Sequence, residues 1–333
     1  MAGMTVVFCH PGLVPGSALN TTIALHHSHI FLVIPAKAGI PPKNIMKIKI
    51  LIDNISGYVR DIRNTNSESQ KQLKGEWGLC VYTEYNGKHI LLDTGASSQF
   101  AKNAANTGID LAAIDAGVLS HAHYDHANGM QDFFKKNDHA KFYLRESAAE
   151  NCYHSYKVFK FFTYQKYIGI RKGTLKRNAD RIKFVNGDCE IFPGITLVGH
   201  KTPNLDEIGK RAHMCVKENG KYRTDSFDHE QSLVFDTSKG LFIMNSCSHG
   251  GADNIIKEIE ATFPGKQIYA ILGGFHLFRT PDDRVKAFAE RLCDLNVQKI
   301  YTGHCTGQRA YEILHEVLGN KVEQMHTGME IEV

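Results

Sequence analysis

The 333-residue sequence has no apolar run that reaches the roughly 20 residues a membrane-spanning helix requires. It has no C-x-x-C pair. Its eight cysteines are too scattered for the disulfide framework of a small secreted domain, so a reducing cytoplasm is the expected compartment. It has no strong excess of charge: 39 Lys and Arg against 35 Asp and Glu leave a net +4 with neutral histidine, which is too mild to argue for nucleic acid. Tryptophan occurs once, as Trp77. Proline is scarce after residue 45, because five of the nine prolines come before it. An apolar fraction of 42% and a charged fraction of 22% are those of a soluble globular protein, and a chain of this length easily buries a sizeable core.

Residues 1–45 differ from the rest. Charge is nearly missing there, with only Lys37 and Lys43. A secretory signal needs a basic start and an uninterrupted apolar centre. Here nothing basic precedes Ile30-Phe31-Leu32-Val33-Ile34, and His26, His27, His29 and Pro35 flank it, so export is not expected. Met46-Lys47-Ile48-Lys49-Ile50-Leu51-Ile52 then alternates as a first strand should. The expected organisation is a leader over 1–45 outside the fold, disordered or belonging to an unused upstream start, and one domain over 46–333.

Histidine is what the chain has in excess, with 18 residues. Ser120-His121-Ala122-His123-Tyr124-Asp125-His126 places four metal-capable side chains within six residues, just after the apolar run Ala116-Gly117-Val118-Leu119. That run reads as a short buried strand, so the motif sits on the loop leaving it. Imidazole and carboxylate are ligands for zinc and similar divalent ions. An extended backbone turns His121 and His123 to one side, and Asp125 and His126 follow as the chain bends, able to face a second ion.

Three further strand ends deliver a histidine beside glycine or another small residue. They are Ser246-Cys247-Ser248-His249-Gly250-Gly251, Gly273-Gly274-Phe275-His276-Leu277 and Thr302-Gly303-His304-Cys305-Thr306-Gly307. Strand ends on one rim meet in space while far apart in sequence. The grouping that follows is His121, His123 and His249 on one ion, Asp125, His126 and His304 on another, and His276 near both. Two such ions stand roughly 3.5–4 Å apart, hold hydroxide between them and clamp an anionic group. Gly273 and Gly274 let the backbone approach a neighbour closely. Cys247 reads as a small buried residue. Asp225, Asp228, His229 and Glu230 precede a strand over 232–235 and carry no assignment, and the remaining histidines (His89, His139, His154, His200, His213, His315) read as ordinary surface or core residues.

Elsewhere, 78–83 and 89–92 read as a hairpin around Asn86-Gly87, ending in Asp93-Thr94-Gly95. By pattern alone Asp93 is equally a turn former or the support of a metal-bound histidine. Residues 56–75 read as a polar loop, and 140–144, 184–200, 240–245, 269–272, 299–301 and 321–333 as strand regions. Helices are expected over 97–107, from 128, and over 253–263, 281–295 and 308–318. In residues 147–183 seven aromatics interleave with basic residues from Lys157 to Arg177. This suits a flat anionic ligand held by stacking and by phosphate pairing, with Tyr167, Arg171 and Lys172 in the contact, or a helical cover over the core with snorkelling lysines.

The H-x-H-x-D-H string resembles the ligand motif of the metallo-β-lactamase fold superfamily. The ordered set L-L-D-T-G, V-L-S-H-A-H-Y-D-H, S-C-S-H-G-G, L-G-G-F-H-L and G-H-C-T-G, spread over 46–333, looks like its dihydropterin-ribofuranosylaminobenzene phosphate synthase-like branch. The resemblance implies an α/β protein with an αββα sandwich and metal at the edge between its sheets. It favours Asp93 as support for the metal ligands, and gives Asp125 a catalytic as well as a ligating part. Two departures are visible. Phe275-His276 stands where many superfamily hydrolases carry a bridging Asp, and Glu76-Trp77-Gly78 stands where Glu-His-Gly is expected. The implied cofactor is a pair of divalent ions, zinc first, with manganese, ferrous iron or magnesium as alternatives. The implied reaction joins an arylamine ribofuranosyl phosphate to a pterin methylene as diphosphate leaves. Two rivals stand beside it: hydrolysis of a phosphoester, ester or lactone by metal hydroxide, and a non-catalytic metal or ligand sensor. The expected partner is a phosphorylated small molecule, with neither nucleic acid nor membrane, and a homo-oligomer is compatible with the sequence.

Overall fold

The alternation that opens at Met46 forms the strand Lys47–Ile52, with Ile48 and Ile50 buried and Lys47 exposed. A register shift between Ile50 and Ile52 inserts one residue against the neighbouring strand Cys80–Tyr85, and a bulge of this kind re-aims the side chains that follow. Ile50 therefore faces one core cluster while Leu51 and Ile52 face another. The chain leaves the strand at Asp53. This computed structural model describes residues 45–60, 70–159 and 162–333, so the leader expected over 1–45 lies, except for Ile45, outside the described residues.

Two seven-stranded sheets form the centre. In the first the order is Ile182–Val185, Lys141–Arg145, Ala116–Val118, Lys88–Leu92, Cys80–Tyr85, Lys47–Ile52 and Glu330–Glu332. In the second it is Cys189–Phe192, Ile195–Gly199, Gln231–Thr237, Gly240–Met244, Ile268–Gly273, Lys299–Thr302 and Val322–Gln324. Ile50, Val81, Leu92 and Val118 of the first sheet pack on Leu197, Phe235, Phe242 and Leu272 of the second. The outer face of the first sheet is covered by the helices Gln99–Thr107 and Met130–Lys136, through Phe100 and Phe133. The outer face of the second is covered by Ala252–Thr262, Asp282–Asp294 and Gln308–Leu318, through Ile255, Leu292 and Leu314. Helices, sheet, sheet and helices make the αββα order. No described helix is long and apolar enough to cross a membrane.

Strand direction places the site. Lys88–Leu92 runs parallel to Ala116–Val118, and Gly240–Met244, Ile268–Gly273 and Lys299–Thr302 run parallel to one another. Their C-terminal ends carry Asp93, Ser120-His121, Cys247, His276 and His304. Gln231–Thr237 is antiparallel to Gly240–Met244, so the residues before its start, His229 and Glu230, arrive at the same rim.

Three expectations are corrected. The polar stretch 56–75 contains a paired hairpin, Gly57–Arg60 with Gln70–Leu73. The helical cover expected as one reading of 147–183 is instead built on a strand pair: Cys152–Phe159 and Phe162–Tyr167 pair antiparallel and join Met214–Glu218 and Lys221–Thr224 in a four-stranded sheet. Residues of Phe162–Tyr167 are exposed or only partly buried, so no apolar alternation marks that strand. The closing segment is two short strands, Val322–Gln324 and Glu330–Glu332, one in each large sheet.

Candidate metal centre

His123 ends the extended part of the ligand loop, and Tyr124–Ala127 bends into one helical turn. The rings of His121 and His123 lie 4.6 Å apart, and each lies 4.9 Å from His249. One ligand atom from each of the three falls within 4.8 Å of the others. Beside them, Asp125 Oδ2 is 3.6 Å from His126 Nε2 and 3.5 Å from His304 Nε2. His121 and His126 join the two sets, with ring centroids 4.2 Å apart. His276 packs on His249 at 4.5 Å. The structure thus brings together all seven histidine and aspartate residues that the motif and the strand ends nominated.

Buried acceptors fix the rings. Ser120 donates its hydroxyl to Asp93 Oδ2 at 2.7 Å, which leaves His121 Nδ1–H to donate to Ser120 Oγ at 2.8 Å. His126 Nδ1 donates to the same Asp93 oxygen at 2.8 Å, and His304 Nδ1 to Asn54 Oδ1 at 3.0 Å. Each of the three rings therefore turns Nε2 inward. Asp53 Oδ2 accepts the His304 amide, and Glu230 accepts the amides of His249 and Gly250. Phe227 stacks on the His249 ring at 4.7 Å and 4°. Asp93, Phe227, Ser248, His276 and His304, all at this rim, have φ between 45° and 58°. Left-handed backbone at non-glycine residues costs on the order of 1–3 kcal/mol each and clusters at functional sites.

The donor set fits a cation. His121 Nε2, His123 Nε2, His249 Nε2, His276 Nδ1 and His304 Nε2 are buried without a hydrogen-bond partner. Orphaned polar atoms are costly to bury. Imidazole lone pairs with one carboxylate are the ligands a divalent ion takes. Burial holds the imidazoles of His121, His123 and His249 well below the ordinary histidine range, and that of His304 down to about 3, so all four are neutral, as ligation requires. Burial opposes charge on His126 as well, but Asp125 and Asp93 outweigh it and carry His126 to about 9, so a cation bound there displaces a proton.

Arg171, Lys172 and Tyr167 lie on a segment that touches the ligand loop through its backbone: Tyr124 N–H bonds Ile168 O and Ile170 N–H bonds Ala122 O. The Tyr167 hydroxyl is taken by the Ile170 carbonyl and the Lys172 ammonium stands 5.1 Å over the Tyr167 ring, so these two engage each other. Arg171 is exposed.

Several site residues lie beyond the sequence reading. Glu230 and His229 precede a strand rather than follow one. His229 accepts the Ala122 amide and donates to Asp225 Oδ2 at 3.1 Å. His200 is not an ordinary histidine: both ring nitrogens are held, by Glu230 and by Glu258. Trp77, 41% exposed, sets its ring 5.0 Å from His304 and 5.3 Å from Phe278, itself 40% exposed, and Arg279 lies over the Phe278 ring. Cys247 is buried as expected, but its sulfur lies 3.3 Å from His126 Nε2.

Residues 78–209 match the family described as the metallo-beta-lactamase superfamily. The chain is 28% identical over 299 residues to the 7,8-dihydropterin-6-methyl-4-(beta-D-ribofuranosyl)-aminobenzene-5'-phosphate synthase of Methanocaldococcus jannaschii, covering 85% of this chain and 95% of that one. Among solved structures, a metal-dependent hydrolase of the beta-lactamase superfamily matches with a TM-score of 0.68 and 29% identity, over 86% of this chain and 99% of that one. The metallo-beta-lactamase fold protein YhfI of Bacillus subtilis matches with a TM-score of 0.51 and 10% identity, over 87% of this chain and all of that one, and speaks to the fold alone.

Proposed function

We propose that this chain is a two-metal enzyme of the metallo-β-lactamase superfamily, with zinc as the metal, that transfers a phosphorylated, pterin-like or other aromatic small molecule. The observation that carries the metal reading is the set of five partnerless buried imidazole nitrogens at one rim, one of which, His304 Nε2, lies 3.5 Å from Asp125 Oδ2. The reading assigns His121, His123 and His249 to one ion and Asp125, His126 and His304 to the other, with His276 adjacent. Divalent ions held there would supply Lewis-acid charge for an anionic leaving group and activate water.

The substrate class rests on the resemblance to the synthase and on the exposed aromatic wall beside the ligands. Trp77 and Phe278 offer apolar faces to a flat ring, and Arg279 offers a cation at its edge. Arg171 and Lys172 remain in the proposal as outer phosphate contacts. In the proposed transfer the arylamine nitrogen would form its bond to the pterin methylene carbon as the carbon–oxygen bond to diphosphate breaks, with one N–H proton released to solvent. The free thiols of the described cysteines support a reducing compartment, the cytoplasm. Met46 is taken as the start of the folded unit, supported by its two backbone hydrogen bonds to Val333.

Hydrolysis is the second reading, favoured by the 29% identity to a metal-dependent hydrolase and by Asp125, placed to orient a water. One experiment separates the readings. Zinc content is measured first, on the wild type and on a His121→Ala, His123→Ala variant; about two ions per chain, largely lost in the variant, is expected. The loaded enzyme is then given a phosphorylated arylamine with a pterin methyl diphosphate, or a phosphoester alone. Diphosphate release that requires both organic substrates supports transfer, and product from the ester alone supports hydrolysis. Tight binding without turnover under any metal would make the protein a sensor.

A further inference from the structure

Cys247 stands inside the ligand cluster. It leaves the strand Gly240–Met244 on a tight turn in which Ser248 has φ of 52° and its amide bonds Asn245 Oδ1 at 2.8 Å. That turn delivers Cys247 and His249 to the same rim two residues apart. The Cys247 sulfur is close to His121 and His126 in one group of potential ligands, to His249 and His276 in another, and to His304 and Cys305 in a third, each group lying within 4.8 Å. These groups draw on both ion positions. The histidines of these groups include four, His121, His249, His276 and His304, that each keep a buried ring nitrogen without a hydrogen-bond partner.

We propose that Cys247 is a metal ligand, its thiolate shared between the two ion positions, and that Cys305 orients it. The inference rests on the two-metal reading above. Two ligands on one tetrahedral zinc, with bonds of about 2.3 Å to sulfur and 2.0–2.1 Å to nitrogen, stand roughly 3.5 Å apart; Cys247 Sγ and His126 Nε2 are 3.3 Å apart. Cys305 Sγ accepts the His276 amide at 3.3 Å and turns its S–H toward Cys247 Sγ at 3.4 Å, so a thiolate there has a donor waiting. On coordination the Cys247 thiol gives its proton to buffer and its sulfur lone pairs to metal; nothing is oxidised. The consequence is selectivity. Asp125 is the single carboxylate in the proposed ligand set, and a soft thiolate beside it shifts the site away from magnesium and manganese toward zinc, cobalt and cadmium.

The test uses the reduced full chain, freed of metal and titrated with cobalt(II), read by bound metal per chain and by the near-ultraviolet thiolate-to-cobalt charge-transfer absorption. The wild type is expected to take up about two cobalt ions and to show the sulfur band. Cys247→Ser should lose the band and bind one of the ions at least about tenfold more weakly. Cys247→Asp should hold two ions without the band, which guards against a variant that merely misfolds, and Cys305→Ser should keep it. Two bound ions without a sulfur band in the wild type overturn the proposal and leave the two-metal reading standing. A band that survives in Cys247→Ser and vanishes in Cys152→Ser, whose sulfur lies within 4.8 Å of potential ligand atoms of His123, Asp225 and His229, overturns it by moving the sulfur ligand. No cobalt uptake by the wild type overturns both.

Discussion

Asp93 holds two histidines of the candidate site with one carboxylate: Oδ2 accepts His126 Nδ1–H at 2.8 Å and also the Ser120 hydroxyl whose oxygen accepts from His121. Orientation of both rings therefore depends on a residue outside the proposed ligand set. Asp93→Asn keeps the volume but removes the charge and one acceptor. Metal affinity should fall about 10–100-fold with the circular dichroism unchanged, measured by competition against a chelator. An affinity equal to wild type would sink this account of Asp93.

Gly273 ends its strand where the next sheet turn crosses it. A Cβ placed there would lie 1.7 Å from the Asn245 carbonyl oxygen, a backbone atom with nowhere to go. Gly273→Ala should cost more than about 3 kcal/mol, in the range reserved for severe steric faults. Gly265→Ala is the control, since Gly265 also has positive φ, 82°, but meets nothing within 4 Å; its cost should stay near 1 kcal/mol. Urea denaturation of the two variants compares them, and equal losses would point to backbone conformation alone.

His200 predicts a pH dependence of stability. Burial lowers its proton affinity, but Glu230 and Glu258 more than reverse this and raise it from the usual 6.5 to about 9. A proton held more tightly in the folded state stabilises fully below about pH 6.5, and that stability is lost as pH rises through about 9. The shift is equivalent to roughly 3 kcal/mol. In the difference between wild type and His200→Gln, melting temperatures should be farthest apart near pH 6 and converge toward pH 9. A constant difference across that range would exclude the charged His200.

Trp77 is the chain's single tryptophan and it borders His304. Its emission is therefore a report from the site mouth. Binding of an aromatic phosphorylated ligand should change that emission. Trp77→Ala should raise KM by about 2–10-fold, the worth of one aromatic contact, with kcat and melting temperature nearly unchanged. A kcat that falls while KM stays fixed would place Trp77 in the chemistry rather than in binding.

Much of this centre was legible because its ligands sit where strand grammar is simplest. His121, His249 and His304 each follow a run of buried apolar residues, and parallel strands bring such ends to one rim. Glu230 was not legible, since it precedes a strand that runs the other way, and only the antiparallel pairing with Gly240–Met244 returns it to the site. Asp53 was hidden by the bulge before it, which no periodicity announces. Cys247 was correctly read as buried, but composition does not distinguish a sulfur packed in apolar surroundings from one packed among nitrogens. The hairpin at Cys152–Phe159 and Phe162–Tyr167 failed for the opposite reason: its exposed aromatics produce neither a helical nor a strand period.

The seam between the sheets makes the centre a record of assembly. His121, His123, Asp125 and His126 leave the first sheet, whereas His249, His276 and His304 leave the second. On the proposed grouping each ion draws ligands from both, so neither half of the chain alone offers a complete cage. On that grouping full-affinity metal capture would wait until the two sheets have closed on each other, and ions bound there would act as a latch across the seam. Ions that bind the closed sandwich more tightly than the open chain would stabilise it, so their removal should lower its resistance to opening, and the rate of high-affinity metal uptake during refolding would time the moment the two halves meet.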